Sequence, residues 1–403
     1  MALAERWLLP DGVKEILPPK ARQIETLRRR LLDLYDNWGY ELVIPPLVEH
    51  LESLLTGVGK GLGINTYKLV DQKSGQSLGL RADITPQVAR IDAHRMHKKG
   101  ANRLCYCGSV VHTRAENMLA SRNPLQLGAE IYGHAGIESD IEVISLMIET
   151  LFSCGITQEL SLDLGHVDVF RGVVDLVEFN ADQKKHYQDL VQKKSLPDLA
   201  CFIESLDISA DKADLLSVLP RLNGGIEVLD RARIALASAP DSVKDAIEYL
   251  QLLADVMKQR YPQVDLYFDL AELRGADYHT GVVFSALSPS FAQAIAKGGR
   301  YDDIGHDFGR PRPATGFSAD LVTLADVSLS DTCQGSDIRS AVLAPAGEDA
   351  SLLAAISQLR AKGIRVIQKL PTDDFDDEYH YDQVLEKLAD NWVVVPSDRN
   401  PKL

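Results

Sequence analysis

Apolar residues recur at spacings of three and four from Ile24 through Leu27, Leu31, Leu34 and Tyr35 to Trp38. That period predicts a helix with one buried stripe, opened by Pro18 and Pro19 and stopped by Gly39. Arg28, Arg29 and Arg30 sit together on it as a solvated run. Residues 39–46 then predict a short strand that Pro45 and Pro46 end. Residues 66–70 and 77–80 predict a hairpin around residues 72–75. Thr85 and Pro86 have the chemistry of an N-cap and a first helical residue, so a helix is expected from Pro86 to about Met96. Residues 102–111 alternate as a strand with Cys105 and Cys107 on one face. In the next strand, residues 125–133, Gln126 and Glu130 share a side with Gly128 between them, while Leu125, Leu127 and Ile131 take the other.

A helix over residues 138–151 and a strand over 160–164 follow, then a mostly helical stretch over about 167–261 with breaks at Pro197, Pro220 and Gly224-Gly225. Residues 264–270 return to strand. A polar linker is expected over 328–337. The last segment predicts strand (340–344), helix (348–362), strand (364–369), helix (about 381–389) and strand (392–395). The pattern therefore predicts a large α+β segment over 1–327, mostly helical at about 167–261, and a small α/β domain over 338–403.

Composition adds limits. With 45% hydrophobic and 25% charged residues in a chain of 403, the protein has the profile of an ordinary globular chain. A formal net charge of −15 argues against a broad nucleic-acid surface. The cysteines at 105, 107, 154, 201 and 333 form no metal-ligand spacing. Their odd count, with no secretory signal and no run of transmembrane length, points to a reducing cytoplasm and no membrane.

Two stretches carry the candidate chemistry. Residues 273–284 read L-R-G-A-D-Y-H-T-G-V-V-F, a polar cluster leading into a buried strand, and residues 298–302 read G-G-R-Y-D. Gln126 and Glu130 over a glycine floor make a pocket for a small polar ligand, since a strand seldom buries such a pair unsatisfied. Asp83, just before a helix N-terminus, either complements the helix dipole or serves that ligand.

These stretches resemble the R-G-x-D-Y-Y-x-G-x-x-F and G-G-R-Y-D signatures of histidyl-tRNA synthetases, which are class II aminoacyl-tRNA synthetases. Residues 80–85 resemble the family's L-R-P-E-x-T element, and residues 126–130 its Q-L-G-x-E. The helix, Gly39 and strand near the N-terminus are similar to motif 1, which builds the family's dimer interface. The resemblance implies an antiparallel sheet core over 1–327 with a helical insertion at about 167–261, and a histidine-binding set of Asp83, Thr85, Gln126, Glu130, Arg274, Tyr278 and His279. Asp83 replaces a longer Glu, and His279 replaces a tyrosine that touches the histidine ring. The ATP elements depart further. His112 stands at the motif 2 arginine, with Arg114 as the candidate replacement if that loop shifts by two. Asp320 and Thr323 stand where motif 3 carries a glycine and an arginine. A carboxylate near a triphosphate repels it, and threonine supplies no charge. The final domain resembles a truncated anticodon-binding domain, with an acidic run at Asp373, Asp374, Asp376, Asp377 and Glu378.

A histidine pocket without the ATP arginines resembles the ATP phosphoribosyltransferase regulatory subunits, paralogues of the synthetases. That resemblance implies no catalytic residue, cofactor or metal in this chain. It further implies a short-form catalytic subunit as partner, L-histidine as effector, and a homodimer within a hetero-oligomer. Two other readings remain from the sequence: a histidyl-tRNA synthetase with diverged motifs, and a stand-alone histidine- or RNA-binding paralogue.

Overall fold

The computed structural model describes residues 7–56, 60–115, 120–157, 159–272, 278–289, 291–331, 341–371 and 381–397. Helix α1 (Lys20–Asn37) presents Ile24, Leu27, Leu31 and Tyr35 to the core, as its period predicts. Strand β1 is only Glu41–Leu42, shorter than the expected run. Next come β2 (Val48–His50), the short helices α2 (Leu51–Leu55) and α3 (Lys60–Asn65), β3 (Tyr67–Val70) and β4 (Ser77–Leu80). The three strands form a separate sheet in the order β2-β4-β3. Helix α4 (Thr85–Ile91) continues through a wider π turn to Met96.

The main sheet is built from β1 and from β5 (Asn102–Ser109), β6 (Leu125–Tyr132), β7 (Ser161–His166), β8 (Asn223–Gly224), β9 (Asp265–Asp269), β10 (Val282–Ser288), β11 (Phe291–Arg300) and β12 (Ala314–Asp320). Its order is β1-β5-β6-β12-β11-β10-β7-β9-β8. The six strands from β5 to β7 in that order pair antiparallel; β1 and β9 join the ends in parallel. This is the expected antiparallel core. Helix α5 (Ile137–Ser153) lies against one face, its Val143, Ile144, Met147 and Leu151 buried in the main core with Leu127 and Ile131. The other face is left to build a site.

Helices α6 (Val167–Val174), α7 (Ala181–Gln192), α8 (Leu196–Glu204), α9 (Ala210–Val218), α10 (Glu227–Ala235) and α11 (Asp241–Arg260) fill the region between β7 and β9, interrupted by β8. Asn180 and Gln183 close a capping box at the start of α7. After the short α12 (Ile304–Asp307), α13 (Leu321–Asp331) follows β12 directly. Residues 328–331 are therefore helical rather than linker, and the remainder of the expected linker lies outside the described residues.

The final segment contains β13 (Ala341–Ala344), α14 (Ala350–Ala361), β14 (Arg365–Gln368), β15 (Gln383–Leu388) and β16 (Asn391–Pro396), with sheet order β14-β13-β15-β16. The helix expected over 381–389 is a strand instead. Val384, Leu385 and Leu388 fit a helical spacing, but they pair across a hairpin with the apolar run of β16: Val384 with Val395, Leu385 with Val394. Ala389 takes a positive φ of 54° in the two-residue turn. Cross-strand burial has overridden local propensity. The acidic run at 373–378 lies outside the described residues. By internal contacts the chain forms two compact units, residues 1–16 with 24–332, and residues 17–23 with 333–403.

Candidate functional site

Cross-strand pairing aligns Gly165, Val283, Gly299, Gly316 and Glu130 in one row over five strands of the main sheet. Partners in such a row face the same side. A Cβ on Gly316 would lie 1.7 Å from Glu130 Oε2, and one on Gly299 would lie 2.5 Å from the His279 ring. Glycine at these two positions keeps open a cavity of about 350 Å³, lined by Asp83, Thr85, Glu130, Tyr278, His279 and Tyr301 among others. That volume is at the lower end for small-molecule sites, about 300–1,000 Å³.

Glu130 is the most buried of the acidic groups lining the cavity, 1% exposed. Its Oε1 accepts from the Thr85 hydroxyl at 2.9 Å and the Tyr106 hydroxyl at 3.0 Å. Its Oε2 has no partner among the described residues, and neither do the hydroxyls of Tyr278 and Tyr301. The two tyrosine rings stack with centroids 5.1 Å apart. Burial drives the Glu130 pKa well above the usual value, with Thr85 and Tyr106 opposing only in part. A neutral carboxyl whose Oε1 already accepts two hydrogen bonds carries its proton on Oε2, the oxygen that faces the cavity. It can donate there to an acceptor, or give up its proton and accept from a cation.

At the other wall, Asp83 Oδ1 accepts from the Thr85 backbone N–H at 3.0 Å and from Gln126 Nε2 at 2.8 Å. Gln126 Oε1 accepts from the Ile84 N–H at 2.9 Å. Gln126 thus stands behind Asp83 and orients it rather than lining the cavity. Thr85 is the first residue of α4, not its cap; Ile84 occupies the cap position and the Thr85 hydroxyl turns to Glu130. The expectation of a Thr85 cap fails: the helix is capped one residue earlier, and the Thr85 hydroxyl is drawn into contact with Glu130 and Tyr106.

The loop carrying Tyr278 is clamped by the G-G-R-Y-D element. Thr280 N–H donates to the Arg300 carbonyl at 2.8 Å, and Asp302 N–H donates to the Thr280 hydroxyl at 2.9 Å. Arg300 is itself buried against Asp140 of α5, with Nη2 2.8 Å from Oδ2. Arg171 of α6 donates to the His279 carbonyl at 2.8 Å. Arg274 and Asp277 lie outside the described residues. Arg114 is exposed and is not among the residues lining the cavity.

The positions that depart from the ATP motifs are bonded to their own chain. Asp320 Oδ1 accepts from the N–H groups of Leu125 at 3.0 Å and Val322 at 3.2 Å, and Oδ2 accepts from the Thr323 hydroxyl at 2.8 Å. The two departures from motif 3 therefore close the start of α13 together. His112 Nε2 is 2.9 Å from the Ala82 carbonyl.

Sequence reasoning missed Tyr106 and Tyr301 as site residues. The signals were present: strand alternation that puts Cys105 and Cys107 on one face puts Tyr106 on the other, and Tyr301 belongs to the G-G-R-Y-D element. Among the described residues there is no group of acidic, histidine or cysteine side chains that could hold a metal, and no helix long and apolar enough to cross a membrane.

A family model described as histidyl-tRNA synthetase matches residues 12–324, and one described as ATP phosphoribosyltransferase subunit HisZ C-terminal domain matches residues 339–395. A protein of Alkalilimnicola ehrlichii named ATP phosphoribosyltransferase regulatory subunit is 51% identical over 366 residues, covering 91% of this chain and 90% of its own. One of the same name from Stutzerimonas stutzeri is 51% identical over 399 residues, covering 98% and 99%. Among solved structures, an ATP phosphoribosyltransferase regulatory subunit/histidyl-tRNA synthetase from Bacillus halodurans aligns with a TM-score of 0.80 at 24% identity, covering 92% of this chain and 95% of its own. The histidyl-tRNA synthetase of Nostoc aligns at 0.77 and 19% identity, covering 97% of each chain. These two structures share the fold.

Proposed function

Because the chain belongs to the family of ATP phosphoribosyltransferase regulatory subunits, we propose that its cavity binds L-histidine and passes feedback inhibition to a short-form catalytic subunit. The chain is a non-catalytic regulatory subunit acting in the first step of histidine biosynthesis. The phosphoribosyl transfer itself belongs to the partner.

The observation that carries the histidine reading is the buried trio of Glu130 Oε2, Tyr278 OH and Tyr301 OH without partners. Each such group costs about 1–3 kcal/mol while unmet, and an imidazole ring offers one donor and one acceptor to meet them. Asp83, held by Gln126 and Thr85, then receives the ligand's ammonium group. His279 and Arg274 complete the expected set. Arg114 plays no part in this reading, being exposed and away from the cavity.

A homodimer forms over the edge of the main sheet, where Leu42 and Ile44 beside β1 are 48% and 83% exposed. Such a two-fold body is a platform on which catalytic subunits assemble symmetrically. The complex works in the cytoplasm, without nucleic acid. The unpaired thiols of Cys105, Cys107, Cys154 and Cys201 suit a reducing compartment.

The test titrates the catalytic subunit with the wild-type chain and with Asp83→Ala, each with and without histidine. The wild type should activate, and histidine should reverse the activation by roughly 5–150-fold, the usual range of coupling between two sites. With Asp83→Ala, activation should persist and the histidine effect should fade. A mutant complex as histidine-sensitive as wild type would place the effector site elsewhere.

A further inference from the structure

Beside the glycine row runs a second row of cross-strand partners: Asp163 on β7, Ser285 on β10, Lys297 on β11 and Ser318 on β12. All four line the same cavity. On β11, Lys297 is two residues from Gly299, about 7 Å along the strand. That offset is comparable to the distance between ring and carboxylate in an extended histidine. The glycine row thus floors the deep part of the cavity, and the polar row floors its mouth.

The charges there are uneven. Asp83, Asp163, Asp269 and Glu272 all line the cavity, whereas Lys297 is the cationic side chain among the described lining residues. Asp269 is already engaged with Lys194, 2.9 Å away. A zwitterionic amino acid brings an ammonium and a ring that this acidic cavity welcomes, but also a carboxylate that it repels. A negative group can settle beside these carboxylates only where a cation meets it. Lys297 is exposed, so its long side chain can reach a ligand at the mouth without the cost of burying its charge.

Building on the histidine reading of the cavity, we propose that Lys297 receives the ligand's α-carboxylate and makes the site select an amino acid over the corresponding amine. Glu130 and the tyrosines recognise the ring, Asp83 the ammonium, and Lys297 the acid group. The three features of a free amino acid are then met from three different parts of the fold. Lys297 lies one residue before the G-G-R-Y-D element, and nothing in the sequence marks it beforehand.

The test measures calorimetric affinities of L-histidine and of histamine, which lacks the carboxylate, for wild type, Lys297→Met and Lys297→Arg. Wild type should prefer histidine. Lys297→Met should weaken histidine by roughly 10- to 100-fold, the worth of a charged hydrogen bond, and leave histamine within about twofold. Lys297→Arg should restore most of the preference, since it keeps the charge. If Lys297→Met weakens both ligands equally, the lysine acts structurally and the proposal fails. If it changes neither, the carboxylate is met elsewhere, with Arg274 the alternative, and the proposal fails too. If wild type binds neither ligand, the histidine reading itself falls and takes this inference with it. That result differs from a site that binds histidine indifferently to Lys297.

Discussion

Glu130, Tyr278 and Tyr301 hold buried oxygens that no described residue meets, whereas Asp320, Thr323 and His112 are bonded to their own chain. Both groups lie on one sheet and its flanking loops, and Gly316 and Asp320 are only four residues apart on β12. In the synthetases that this fold resembles, the first region meets the amino acid and the second meets ATP. Here the first region keeps the cost of unmet polar groups, which a ligand removes. The side chains of the second are bonded within the chain. On the proposed reading, the chain keeps the half of a synthetase site that meets the amino acid and has lost the half that meets ATP.

Substituting one residue from each region tests the contrast. Glu130→Ala should weaken histidine binding by about 2–5 kcal/mol, the usual loss when one partner of a buried polar contact is removed. Asp320→Ala should leave histidine affinity within about twofold. It should instead cost ~1 kcal/mol of stability through loss of the cap on α13, read by denaturant unfolding. A reversal of the two patterns would break the distinction between the regions.

A smaller effect sharpens it. The folded state raises the Glu130 pKa above its usual value of 4.5. Above pH 4.5 the unfolded chain releases this proton while the folded chain keeps it. This group's contribution is therefore most favourable at low pH and declines as pH rises toward the folded value. Glu130→Gln removes that dependence. The ligand-free mutant should lose less stability than wild type as pH rises from about 5 to 8, measured by thermal unfolding. Parallel curves would mean that Glu130 is ionised in the folded protein.

Much of this was legible in the sequence. The period of α1, the alternation that puts Gln126 and Glu130 on one side, and the motif departures at Asp320 and Thr323 all follow from spacing and residue type. The hidden parts depend on register. Nothing local says that Gly165, Gly299 and Gly316 will align with Glu130, or that Lys297 will share a row with Asp163, because these positions come together only when five strands pair. The helix expected over 381–389 failed for the same reason: its apolar residues satisfy a helical period and a strand face alike, and the hairpin partner in β16 decides between them. Gln126 was read as part of the site, but its place behind Asp83 needed the side-chain geometry.

The most direct measurement is a pair of calorimetric titrations of the wild-type chain, one with L-histidine and one with ATP and magnesium. The account predicts saturable binding of histidine and no detectable binding of ATP, with or without histidine present. Saturable ATP binding, or histidine-dependent exchange of pyrophosphate into ATP, would contradict it by showing that the nucleotide half of the site is still open.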